Sequence, residues 1–542
     1  MASTAIASLS NYIREELPKV MHESLPTVAP FFKDIVSSSV GVSSDSSSNI
    51  GQLWKVIHLY SAGVAGLIKY ADVTGPATIS QTGGMGTQSQ LLNFSVDTSI
   101  YPTAREAAHA GSLKRTLYLH MITGNFSIPV TWMQADVLSA TQIKKVAQDI
   151  KAVGDLKAMV EATGFHSIPV TAASGFEVKV LGMLTNAAET GTDIVRITID
   201  EAYGTIHNFR IGMAIDIVAG DRTTGGVLQD GVATDGTDRR NYLGAGGGTY
   251  VHVYITNVNY LARTFDCVGL SSSDGSLVTW TDDATTSPCL GSWGVTTDNN
   301  EVNKYDYIVT RDCSTYITAT RPMPTWGIED WMKSTGYILG GASGGEALDV
   351  DTFSQFRSSV TAVNGPLTDD ILNKYIGNYM DAYPGLTLDT IITTNGVTQK
   401  YLQQFGLYNN RNFYDRQGKS INAKGGWSEV SYEFNGRTLR WIVDPLCASG
   451  RLYCCKFSGG NIKRYQPPSI SGSGPLSGGA GTDGEVQFLA PLGGHTGVFM
   501  LARTSGGAVM DVLEAPFHQY NMIAPIDPRG IKMTGLTEVS RT

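Results

Sequence analysis

One stretch of this sequence admits a single secondary structure. Ile143, Val146, Ile150, Val153, Leu156 and Val160 recur at spacings of three and four, which places them on one stripe of an α-helix. Gln142, Lys144, Lys145, Gln148 and Lys151 populate the other side. Ser139 or Thr141 can cap the start, and Gly164 is placed to end it. Such a helix argues against a chain that is β throughout.

The order of the flanking segments is as informative as the helix. Residues 1–75 read as an arm: a short amphipathic piece (Ile13, Leu17, Val20) is broken by Pro18, Pro26 and Pro30, then followed by a serine tract. This piece cannot bury much by itself and has to lie on something else. Over 76–128, the strand-like runs Leu91–Ile100 and Leu113–Ile128 flank a loose polar stretch, which reads as a long hairpin. The helix lies within 129–169. From 170 to 312, short β-type runs alternate with Gly/Asp/Thr-rich loops, the pattern of a self-contained barrel or sandwich.

Residues 313–510 return to mixed character. A helix starts at Thr368 with Asp369 and Asp370 complementing its dipole, and shows the face Ile371, Leu372, Tyr375, Ile376, Tyr379 and Met380. A strand at 390–394, the turn Asn395-Gly396 and a short helix to Phe405 follow. Tyr432 and Phe434 alternate into Asn435-Gly436, and Leu439, Trp441 and Val443 alternate out, as in a tight hairpin. Residues 511–542 form a C-terminal segment. The fold class expected is α+β.

Bulk properties narrow the function. At 542 residues the chain exceeds one ordinary domain and suggests roughly two to four packed units. Charged residues are 16%, and glycine counts 61, which suits a surface largely covered by neighbours and equally a β-rich extracellular protein. The net charge of −9, with no basic run, argues against a sequence-reading nucleic-acid binder. Six cysteines carry no C-x-x-C pair and no zinc spacing, and Cys454 and Cys455 read as small core hydrophobes. Met1 to Val20 shows no secretory pattern, and no stretch approaches the ~20 apolar residues of a membrane span.

This ordered set resembles the tailed-bacteriophage major capsid protein family with its Hong Kong 97-type fold. The long helix is similar to that family's spine helix, and the preceding hairpin to its extended loop. Phe209-Arg210-Ile211-Gly212-Met213-Ala214-Ile215-Asp216, Val253 to Asn259 and Asp306 to Val309 resemble strands of the family's inserted domain. Pro384 to Tyr401 and the hairpin at Phe434-Asn435-Gly436 resemble passages of its axial domain. The resemblance implies an arm, an extended loop, a peripheral domain with a spine helix, an inserted β domain, and an axial domain with returning peripheral segments.

By resemblance, copies form hexamers and pentamers of an icosahedral shell around double-stranded DNA, with no enzyme activity, cofactor or metal. The shell assembles in the host cytoplasm and resides in the virion. Scaffolding, portal and decoration or cement proteins are the expected partners, with no membrane and no sequence-specific DNA contact. Lys114, Arg115, Trp54, Phe31 and Phe32 are the candidate subunit-interface residues.

Two other readings remain open. Gly341-Ala342-Ser343-Gly344-Gly345 matches G-x-S-x-G, so Ser343 with Asp444 or Asp511 and His495 or His518 would make a serine hydrolase. The elbow, however, needs a helix directly after the serine, and Glu346 to Thr352 is a poor start. Asp349 and Asp351 could flank a sugar or hold a metal, although loop and cap roles are the ordinary use of such residues. The third reading is a different β-rich virion, tail or adhesin subunit.

Overall fold

The computed structural model describes residues 36–39, 53–61, 111–118, 120–129, 140–171, 177–218, 251–271, 276–282, 289–293, 301–310, 327–338, 348–383, 387–408, 431–434, 436–457, 461–466, 487–488, 500–503 and 509–539. They form a mixed α+β structure with four α-helices: α1 (Ala140–His166), α2 (Ile328–Trp331), α3 (Asp369–Ala382) and α4 (Asn395–Tyr408).

Helix α1 buries Val146 and Ile150 and exposes Lys144, Lys145, Gln148 and Lys151, as its apolar spacing requires. Val160, at the end of the stripe, is exposed, whereas every residue from Glu161 to Ile168 is buried whatever its polarity. Gly164 does not end the helix, which runs on to His166. The last carbonyls find one distant donor and one local one. Lys179 Nζ donates to the Gly164 carbonyl at 2.6 Å, and Ser167 Oγ to the Thr163 carbonyl at 2.6 Å.

The central sheet has six strands in the order 359–365, 530–536, 452–455, 390–393, 437–443 and 431–434. Two of its five pairings are parallel, 359–365 with 530–536 and 390–393 with 437–443. The middle strands Thr390–Thr393 and Leu452–Cys455 are buried at every position, the mark of strands covered on both faces. Cys454 and Cys455 point to opposite faces yet are both buried free thiols, so each behaves as a small apolar side chain.

Helices α3 and α4 lay Leu372, Ile376, Tyr379, Val397 and Tyr401 against Ile391, Leu439, Trp441 and Ile531 of this sheet. Thr368 caps α3, its side chain accepting from the Ile371 amide. Asn395-Gly396, expected as a turn, instead opens α4. Thr394 Oγ1 accepts from the Val397 amide at 3.2 Å, so the strand passes straight into the helix. The hairpin turn at Gly436 forms as its residues demand, with φ +76° there and Tyr432 opposite Leu439.

Six strands between 182 and 310 close on themselves: 182–191, 194–200, 264–271, 251–259, 214–218, 307–310 and back to the first. Every pairing around the ring is antiparallel. Irregular registers at Leu184/Asn186 and Ile255/Asn257 supply the local bending that closure needs. The interior holds Leu184, Ile197, Val253 and Cys267, with Phe209 stacked on Phe265 at 4.7 Å. A three-stranded sheet (280–282, 289–293, 301–303) joins this core through the edge-to-face pair Trp280–Trp293 at 4.6 Å.

Five further strands gather on Val509–Pro525, 17 residues long. It pairs with 120–129 over ten consecutive positions and also with 462–466, 487–488 and 500–503. Val36–Ser39 adds to 463–466 in parallel. Separately, 53–61 and 111–118 make a two-stranded antiparallel ribbon. The run read as one strand, Leu113–Ile128, is therefore two strands on two different sheets. The partner of its first half comes from the stretch read as arm; Leu91–Ile100 lies outside the described residues.

Candidate functional site

The ribbon brings together three of the residues singled out from the sequence. Trp54 stands opposite Leu117, Val56 opposite Arg115 and Ile57 opposite Lys114. Phe31 and Phe32 lie outside the described residues. Among the described residues, no third strand pairs with the ribbon.

The chemistry concentrated elsewhere in the chain is ionic, buried and structural. Where the end of α1, helix α2, strand 462–466 and the central sheet converge, four carboxylates meet two lysines, two arginines and a histidine largely out of water. Lys179 Nζ lies 2.6 Å from Asp330 Oδ2, Arg464 Nη2 2.8 Å from Glu161 Oε1, and His166 Nε2 3.2 Å from Asp444 Oδ2. Glu329 is the hub of the fourth group: Lys532 Nζ lies at 2.7 Å, and Arg451 and the Tyr453 hydroxyl also donate to it.

Burial alone would raise the Glu329 pKa. The charges of Arg451 and Lys532, with the hydrogen bonds from Lys532 and Tyr453, override that and hold it well below the usual carboxylate range. Burial pushes the Tyr453 hydroxyl up, so it stays a proton donor. Replacing a buried pair by apolar residues is often neutral, so what these pairs supply is a fixed relative orientation of helices, strand and sheet.

Glycine permits the closest approach at this junction. A Cβ on Gly327 would sit 1.9 Å from the Phe165 carbonyl oxygen, so the start of α2 touches the end of α1 backbone to backbone. Beside the junction an open cleft of ≈ 670 Å³ separates Asp200–Tyr203 and Arg263 of the barrel from Ser449–Arg451 and Thr534–Thr537 of the sheet. Sequence reading missed the junction. Its partners stand up to 303 positions apart, and the local hint is the set of polar residues Glu161, Thr163, His166 and Ser167 that follows the apolar helix stripe.

Ser343 and His495 lie outside the described residues. Tyr337–Ile338 before the serine motif pairs antiparallel with Leu348–Asp349 after it. Asp444, a proposed triad member, is taken up by His166 and by the Leu446 amide at 2.9 Å. Asp349 and Asp351 serve as loop caps. Asp349 accepts from Thr352 Oγ1 at 2.6 Å and the Asp351 amide at 2.9 Å, and Asp351 holds Arg357 at 2.9 Å. Among the described residues, no group of three His, Cys, Asp or Glu side chains is placed to hold a metal ion.

No family model and no curated protein matches the chain. Solved structures similar to it include the holo-SrpI encapsulin complex of Synechococcus elongatus PCC 7942, at 10% identity and TM-score 0.19, covering 33% of this chain and 52% of that one. The satellite phage P4 procapsid including size determination (Sid) protein matches at 10% identity and TM-score 0.25, covering 96% and 99%. The cyanophage Pam1 capsid asymmetric unit matches at 8% identity and TM-score 0.27, covering 92% and 88%. The chain thus spans about half the length of the encapsulin it matches.

Proposed function

We propose that this chain is a shell subunit, the major capsid protein of a tailed bacteriophage, and not an enzyme. The observation that carries the reading is the ribbon of 53–61 and 111–118, which gains no third strand among the described residues. An isolated two-stranded ribbon is marginal in water and needs a surface to lie on; neighbouring copies supply one. The buried junction supports the same reading from the other side. A lattice in which each contact is small needs subunits of fixed shape, because weak contacts sum only when they can all form together.

In this proposal the copies close into hexamers and pentamers through head-to-tail contacts of the central-sheet region. The arm and ribbon, with Phe31, Phe32, Trp54, Lys114 and Arg115, reach across to adjacent copies. Scaffolding, portal and decoration proteins complete the particle, which is built in the host cytoplasm and persists as the virion. The net charge of −9 suits a wall that encloses DNA without gripping it. Purified full-length chain, with a scaffold if one is required, should give closed particles of megadalton size in two-dimensional class averages. A stable monomer under every assembly condition rejects the proposal.

A further inference from the structure

The barrel carries two surface patches of opposite character, and neither finds an opposite charge among the described residues. The first surrounds Arg210. Among the described residues its guanidinium meets neutral groups: the Phe209 carbonyl at 2.6 Å, the Tyr260 hydroxyl at 3.2 Å, and Met159 Sδ of α1 at 3.0 Å. Around this cation the surface is apolar, with Leu261 96% and Ile211 67% exposed beside half-exposed Tyr260 and Val160. Lone apolar side chains on a surface mean little, but a contiguous group around an unpaired cation marks a contact.

The second patch is acidic. Glu189, Asp193 and Asp282 meet around Trp280 and are held by neutral donors alone. The Asp193 amide donates to Glu189 at 3.3 Å, the Trp280 indole to Asp282 at 2.6 Å, and the Trp280 amide to Asp193 at 3.3 Å. No cation among the described residues pairs with any of the three. Exposed Ile194 and Leu277 flank them.

The two patches cannot meet in one molecule. The turn at 191–193 and the turn at 260–263 lie at opposite ends of the antiparallel pair 194–200 and 264–271, since Val195 is opposite Cys267 and Thr198 opposite Thr264. At about 3.3 Å per residue the intervening strand keeps them on the order of 20 Å apart.

We infer that the Arg210 patch of one copy seats the Glu189/Asp193/Asp282 patch of a second copy, a head-to-tail barrel contact. The charge complementarity and the apolar groups at both patches select this occupant. A contact between two different patches is heterologous, and it closes a ring or continues a lattice instead of stopping at a dimer. The inference rests on the shell-subunit reading.

The test uses full-length chain and its assembly followed by sedimentation velocity. Arg210→Glu alone and Glu189→Arg alone should each raise the concentration needed for half-assembly roughly tenfold, and the double charge swap should bring it back to within about threefold. Leu261→Ser, at a side chain too exposed to be needed for folding, should weaken assembly in the same sense and guards against a misfolded Arg210 variant. Single variants that weaken assembly without rescue by the double overturn the pairing. Unchanged assembly in all variants overturns it too, while leaving the shell reading intact. Wild-type chain that never assembles removes both.

Discussion

Lys179 and Asp330 offer the sharpest test of the buried junction. The ammonium is fully buried, 2.6 Å from Asp330 Oδ2 and 2.6 Å from the Gly164 carbonyl, and the same Asp330 oxygen accepts from the Gly327 amide at 2.5 Å. Asp330→Leu leaves a cation out of water without its carboxylate partner. Lys179→Met leaves a carboxylate with one backbone donor. Each should cost about 3–5 kcal/mol, the range for breaking a buried pair by removing one partner. The double variant leaves neither charge of the pair behind and strands the Gly164 carbonyl and the Gly327 amide, at about 1–3 kcal/mol each. It should therefore lie roughly 2–6 kcal/mol below wild type, short of the ~6–10 expected from adding the singles.

Urea unfolding of the unassembled subunit, followed by tryptophan fluorescence, measures this at unchanged m-value. Trp331, buried next to Asp330 and edge-to-face with Phe165 at 5.6 Å, reports directly on the junction. A double variant whose loss equals the sum of the singles would refute the coupling. Single-variant losses under about 1 kcal/mol would show that water reaches the pair.

Glu329→Gln should destabilise the subunit at neutral pH. Its native pKa is depressed, so the carboxylate's stabilisation is fully present above its unfolded value of about 4.3 and is lost as the pH falls further, through the native value. The gap between wild type and Glu329→Gln should hold steady above about pH 5 and narrow below pH 4; a gap that widens on acidification contradicts the assignment. Gly327→Ala drives a Cβ into the Phe165 carbonyl and should cost at least the ~1–3 kcal/mol of overpacking, read as a lower thermal midpoint with no gain from neighbouring side-chain truncations. Arg115→Glu, at the ribbon, should impair particle formation in sedimentation while leaving the urea midpoint of the isolated subunit within about 0.5 kcal/mol. Ser343→Ala should leave assembly unchanged; loss of a hydrolytic activity in that variant would favour the hydrolase.

What the sequence disclosed was whatever depends on neighbours a few residues away. The α3 cap at Thr368, the alternating hairpin around Gly436 and the stripe of α1 are set by local spacing, and each forms. The errors arise where a second signal, local or distant, overrides the one first read. Gly164 reads as a stop, but Lys179 satisfies its carbonyl and the helix continues. Asn395-Gly396 reads as a turn, but Thr394 caps a helix there. Thr394 Oγ1 in turn donates to Glu538 at 2.5 Å, 144 positions away. Strand 111–118 has the alternation of a hairpin arm, yet nothing in its own residues names Leu53–Ser61 as its partner. Of the interface candidates, Trp54, Lys114 and Arg115 fall on one ribbon, a proximity that no spacing in the sequence indicates.

The closed barrel has a consequence for how such a chain changes over time. Its first and last strands are neighbours, Met183 opposite Tyr307 and Gly182 opposite Ile308, so the chain leaves the surrounding structure and returns to it within about 5 Å. A module with that geometry can be gained, lost or exchanged by one recombination event, with a residue or two bridging the scar. Because the ring closes, neither its first nor its last strand presents a full-length free edge, which limits the template for aggregation that the transferred piece brings with it.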